Sequence, residues 1–259
     1  MNRLKYFLII IISLIPSISK SQDYCEFILE IQEYQDFVKL KSVGNNDIID
    51  SSSFSITTYL SYFDNIEVEE GYKIGVYYFD NFLDGNPYLY ANLENKELNE
   101  KVDKESLYEL LNSEKFRAKN HIKPKNTEIG FLQYLFFSEM GEQFALKWHA
   151  NYNEKYIICS REELDEIIIE LQTDNKEVTD NEKIDSGYSV DSIGLNRLEK
   201  INPEIVIESK NDFYIITWIE NRTHSGIYRC VYQVQQKVPY RIDKINEEKL
   251  IDTPIDFLY

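Results

Sequence analysis

Glycine is scarce in this chain, 9 of 259 residues, and none of the glycines sits in the glycine-rich turn that cradles a phosphate. Three cysteines are too few for a disulfide scaffold. Three histidines, His121, His149 and His224, leave little room for metal or acid–base chemistry. None has a second His or Cys at the spacing of HExxH or CxxC. His121 lies just before Pro124, where a loop is expected; His149 ends a predicted strand beside Trp148; His224 sits in a predicted hairpin turn. Each reads as an ordinary histidine. No GxSxG elbow offers a serine nucleophile. No catalytic, cofactor-binding or metal-binding residue is therefore assigned, and no cofactor is expected.

Two further features resemble sites only weakly. Asp80 to Asn86 has the look of a calcium loop, but Phe82 stands where a third-position oxygen ligand is needed and Ala91 where the twelfth-position glutamate belongs, so a hairpin turn is expected. Cys159 and Cys230 fall in apolar predicted strands, where burial keeps a thiol inert. They are predicted to form a disulfide with each other, leaving Cys25 over.

No apolar run beyond the N-terminus is long enough to span a bilayer, so a membrane-spanning chain is not expected. The N-terminus itself reads as a secretory signal. Arg3 and Lys5 precede an apolar run from Phe7 to Ile15, and Ser19-Lys20-Ser21 supplies small residues for cleavage before Gln22. That run falls well short of the ~20 residues of a spanning helix. Lipid attachment at Cys25 is disfavoured because Gln22-Asp23-Tyr24 before it are polar or bulky. The chain is thus expected to be exported to the periplasm, the cell surface or the medium.

Negative charge is plentiful. The formal net charge is −17, and removal of Arg3, Lys5 and Lys20 with the signal takes it to −20. Nucleic-acid binding, which needs cations against phosphates, is not expected. A basic partner or cations suit such a surface better. Tyr (20) and Phe (14) give a β-prone, aromatic-packed composition.

Hydrophobic periodicity predicts an α+β fold: antiparallel hairpin sheets with flanking helices. A helix is expected over Asp23 to Val38, with Ile28, Ile31 and Val38 on one face, and a second, serine-capped, within Phe54 to Phe63. Tyr72 to Phe79 and Pro87 to Leu93 predict a hairpin about Asp84-Gly85, and a helix should follow from Asp103. Strands are expected at Ile129 to Phe137, Phe144 to Ala150 and Tyr156 to Cys159. Ser160-Arg161-Glu162-Glu163 is a capping box that opens a helix through Leu171. A short helix using Val190 to Ile201 precedes strands at Ile205 to Glu208, Phe213 to Ile219, Ile227 to Gln235 and Tyr240 to Ile242. Asn246 could cap a last helix through Leu250.

These elements suggest two or three hairpin-plus-helix repeats, with Leu132 matching Tyr214, Phe136 matching Trp218 and Tyr156 matching Tyr240. The expected organisation is a signal peptide over 1–21, an α+β domain over 22–172, an acidic linker or long loop over 173–189, and a second α+β unit over 190–259 packed on the first. Phe131 to Phe137 and Phe213 to Ile219 are apolar on both faces, so both need cover on both sides. The expected function is a non-enzymatic exported protein that binds another protein or belongs to an envelope assembly. The alternative is a carbohydrate-binding module or glycoside hydrolase, with aromatic rings stacking on sugars and paired carboxylates as acid and base.

Overall fold

The first helix, α1 (residues 22–38), repeats apolar residues at three- and four-residue spacing, and so one face turns inward. Ile28, Ile31 and Val38 are fully buried, with Tyr24 and Phe27 beside them. The computed structural model describes residues 22–38, 54–77, 88–94, 113–143, 154–180, 192–223 and 225–252. The expected signal over 1–21, the turn at Asp84-Gly85, the helix from Asp103, the strand Phe144 to Ala150, His149 and His224 all lie outside these residues. Among the described residues no helix is long and apolar enough to cross a membrane.

Next comes α2 (Ile56–Ser61), capped by Ser55, whose side chain accepts from the Thr58 amide. Strand β1 (Ile66–Val68) pairs antiparallel with β4 (Ile122–Pro124). The predicted hairpin forms as β2 (Tyr72–Tyr77) against β3 (Tyr88–Leu93).

At the centre stands α3 (Glu128–Met140). It was expected to be a strand from Ile129 to Phe137, and the structure corrects this. Thr127 is its N-cap and accepts from the Gly130 amide. Residues Phe131 to Phe137 are all buried. A helix enclosed on every side must be apolar all round, and periodicity alone then cannot separate it from a strand covered on two faces. Phe136 packs edge-on against Phe27 at 5.7 Å, and Phe137 against Phe63 at 5.1 Å. Gly130 lets α3 start close to its neighbours: a Cβ there would lie 2.3 Å from the Lys125 carbonyl oxygen and 3.0 Å from that of Asn65.

The main sheet contains β5 (Lys155–Ile158), β6 (Val206–Lys210), β7 (Phe213–Arg222), β8 (Gly226–Gln235) and β9 (Ile242–Ile251). All pairings are antiparallel. β5 and β6 share one edge of β7, and β8 then β9 lie on its other side. The fold is thus α+β with antiparallel sheets, as expected. β5 comes from the 22–172 segment and β7 from the 190–259 segment, so both segments build one sheet.

Between β5 and β6 run α4 (Arg161–Asp180) and α5 (Ser192–Leu198). The capping box forms: Ser160 Oγ accepts from the Glu163 amide, and Glu163 Oε2 accepts from the Cys159 amide. The expected linker from 173 is corrected in its first part, because α4 continues to Asp180. Polar residues there can extend a helix once the capped, buried turns have nucleated it. The last predicted helix is also corrected. Asn246 to Leu250 belongs to β9, where pairing with β8 overrides local helical preference. β9 is an edge strand with two register irregularities and a mostly exposed, charged surface, features that discourage edge-to-edge association.

The sheet is covered on both faces. Tyr214, Ile216 and Trp218 of β7, with Cys230, Tyr232 and Val234 of β8, join the cluster around α1 and α3. Ile158, Ile219, Ile227, Leu250 and Ile251 join a second cluster with Leu164, Ile168 and Leu171 of α4 and Leu198 of α5. The cover for Phe213 to Ile219 is thus largely intramolecular. The repeat is not confirmed among the described residues: Leu132 and Phe136 lie on a helix, and their expected equivalents Tyr214 and Trp218 lie on a strand. Tyr156 lies in β5, whereas Tyr240 precedes β9.

Candidate functional site

A groove of about 1010 Å³ lies between α1, the α2–β1 connection and the start of α3. Each wall is set by local sequence. On α1 the positions not used for the core, Asp23, Glu26 and Glu30, follow i, i+3, i+7 spacing and line one bank. Tyr62, Asp64 and Asn65 form the second bank, and Thr127, Glu128 and Gln133 the third, with Tyr214 of β7 also lining the groove. Five carboxylates therefore line it, and among its described lining residues there is no Lys, Arg or His.

Hydrogen bonds fix these walls. Tyr24 OH donates to Glu128 Oε2 at 2.7 Å, tying α1 to the start of α3. Burial, and then the Glu128 carboxylate, push the Tyr24 phenol well above its ordinary range, so it stays a donor. Gln133 Oε1 accepts from the Asn65 amide at 2.7 Å, and its Nε2 donates to Asp64 Oδ1 at 2.9 Å. Lys125 Nζ donates to the Asp64 carbonyl at 2.6 Å. Tyr24, Phe27 and Tyr214 are only 7%, 8% and 9% exposed, so little of these rings meets the groove, whereas Tyr62 is half-buried. Like charges at helical spacing repel one another, and a cation entering the groove relieves that repulsion.

A second polar cluster lies in the sheet. Glu220 is fully buried and accepts from Trp218 Nε1 at 2.8 Å, Tyr232 OH at 2.9 Å and Arg222 Nε at 2.8 Å. Arg222 reaches onward to Glu247 at 2.6 Å and lies 4.1 Å over the Tyr228 ring. Burial alone would raise the Glu220 pKa, but the Trp218 hydrogen bond and the charges of Lys155 and Arg222 outweigh it and hold the carboxyl below its ordinary range. Cys230 sits in the same cluster, its thiol pushed up to about 12 by burial and by Glu220. Such a thiol is not a nucleophile near neutral pH.

The disulfide expectation is corrected. Cys159 pairs with Cys25, and Cys230 is a free, buried thiol. Cys159 directly follows β5 and Cys230 lies in β8, with β7 between them. Two strand spacings, ~9.5 Å, exceed the ~7 Å reach of a disulfide. Cys25 was missed because it lies on a helix 134 positions away, and only packing brings it near.

His121 is buried rather than a surface loop residue. Its Nδ1 lies 2.8 Å from Glu69 Oε2, its Nε2 lies 2.7 Å from the Lys115 carbonyl oxygen, and its ring stacks on Tyr72 at 3.9 Å. The segment Asp80 to Asn86 lies outside the described residues. Among the described residues no cluster of three or more His, Cys, Asp or Glu is placed to hold a metal. Glu142, whose carboxyl burial holds above its ordinary range, accepts from the Leu89 amide at 3.3 Å. Compared with models of protein families, with curated protein sequences and with solved structures, the chain matches none.

Proposed function

We propose that this chain is an exported, non-enzymatic binding protein whose acidic groove receives a basic, extended segment of another protein. The carrying observation is the groove itself: five carboxylates and no cation among its described lining residues. Charge complementarity of this kind steers encounter and selects partners. The disulfide between Cys25 and Cys159 supports export, because such bonds persist in oxidising compartments. Stacking on a sugar needs an open ring face; Tyr24, Phe27 and Tyr214 are buried and Tyr62 is half-buried, so the carboxylates rather than the rings dominate the groove and support the peptide reading.

The test is fluorescence anisotropy of two labelled nonapeptides, one alternating lysine with alanine and one alternating glutamate with alanine. The lysine peptide should bind, and should weaken as salt rises toward ~0.5 M, where screening is nearly complete. Glu26→Gln with Glu30→Gln should weaken it about two- to thirtyfold, given ~0.2–1 kcal/mol for each of the two exposed ion pairs. Equal binding of both peptides, or no loss in the double variant, overturns the reading. Mass spectrometry of the exported form should give an N-terminus at or near Gln22; an intact Met1 overturns the export half.

A further inference from the structure

On the face of the sheet opposite α3, a pocket of about 430 Å³ lies between α5 and the β8–β9 pair. Its sign is opposite to that of the chain. Arg197, Lys200 and Arg229 line it, against a single carboxylate, Glu248. Buried Ile201 and Leu250 contribute its apolar part.

The charges are not used up locally. Arg229 pairs with Glu248 at 3.2 Å across directly opposed positions of β8 and β9. Among the described residues neither Arg197 nor Lys200 forms an ion pair, although Asp and Glu outnumber Lys and Arg in this chain by 45 to 28. Most described cations do find a carboxylate, among them Arg117, Lys123, Arg161, Lys210, Arg222 and Lys237. Nor are the two needed to cap α5. Carbonyls at the end of a helix favour nearby cations. Here Arg161 Nη1 already serves them, donating to the carbonyls of Leu198, Glu199 and Ile201 at 3.5, 3.1 and 3.3 Å. A surface this acidic leaves two neighbouring cations unpaired beside an apolar wall, where an anion with an apolar tail would satisfy both features at once.

We propose that this pocket binds a small organic anion, its carboxylate or phosphate head held by Arg197 and Lys200 and its apolar part against Ile201 and Leu250. The site is independent of the acidic groove. Calorimetric titration of the mature protein at low ionic strength with hexanoate, hexyl phosphate and inorganic phosphate tests it. At least one of the two hexyl compounds should bind saturably and more tightly than inorganic phosphate, and which one binds identifies the head group. Arg197→Ala with Lys200→Ala should weaken that binding at least tenfold without moving the melting temperature of the free protein, since both side chains are exposed. Lys210→Ala, on the distant β6, should leave binding unchanged. Absence of saturable binding by either hexyl compound, retention of affinity in the double variant, or an equal loss in Lys210→Ala overturns the proposal.

Discussion

Cys25 of α1 and Cys159 at the end of β5, 134 positions apart, are joined with their Cα atoms 5.4 Å apart. The bond ties the first helix to the edge of the main sheet. Replacing both with serine should destabilise the protein by about 2–5 kcal/mol, chiefly by freeing the unfolded chain. Denaturant unfolding checks the size. Peptide mapping without reductant should recover Cys25 linked to Cys159 and Cys230 free; a Cys159–Cys230 peptide would contradict the structure.

Gln32 on α1 makes a second tie to the same strand. Its Oε1 accepts from the Ile157 amide at 2.7 Å, and its Nε2 donates to the Ile157 carbonyl at 3.3 Å. The side chain thus stands in for a neighbouring strand at the edge of β5. Gln32→Ala strands a buried donor and acceptor, for a loss of about 2–4 kcal/mol. Denaturation midpoints of the variant and parent, compared at equal slope, would show it.

Glu220 should make stability fall in acid. Its folded-state pKa is held below the unfolded value, so its contribution is complete above the unfolded pKa and is lost as pH falls through the folded one. Glu247, lowered to about 2 by hydrogen bonds from Arg222 and Lys244, acts in the same direction. The melting temperature should therefore drop as pH falls below ~4. Glu220→Gln should cost about 3 kcal/mol near neutral pH, since it leaves Arg222 without its buried partner, and should flatten the acid slope. Thermal melts of both proteins from neutral pH into acid decide it.

Gly130 is predicted to tolerate no side chain. An added methyl would press on the Lys125 carbonyl, which is backbone and cannot swing away. Gly130→Ala should lower stability by about 1–3 kcal/mol, against the usual gain from alanine in a helix. A melting temperature equal to or above the parent's would show that the start of α3 can shift.

The sequence alone determined the elements with one wet face and a local punctuation mark. For α1 the apolar stripe of Ile28, Ile31 and Val38 was enough. For α2 and α4, Ser55 and the Ser160–Glu163 box marked the starts, because capping depends on residues three positions apart. The β2–β3 and β7–β8 hairpins were legible for the same reason, their partners being near in sequence. Only the tertiary structure decided what depends on surroundings. Phe131 to Phe137 is apolar on every side apart from Gln133, so its own pattern cannot tell a central helix from a core strand. The residues of β9 favour a helix in isolation and become a strand because β8 offers an open edge. The groove joins Tyr24 to Glu128 across 104 positions, and Cys25 meets Cys159 across more. No local pattern records such contacts, because they are fixed by how helices pack on the sheet after the chain has closed on itself.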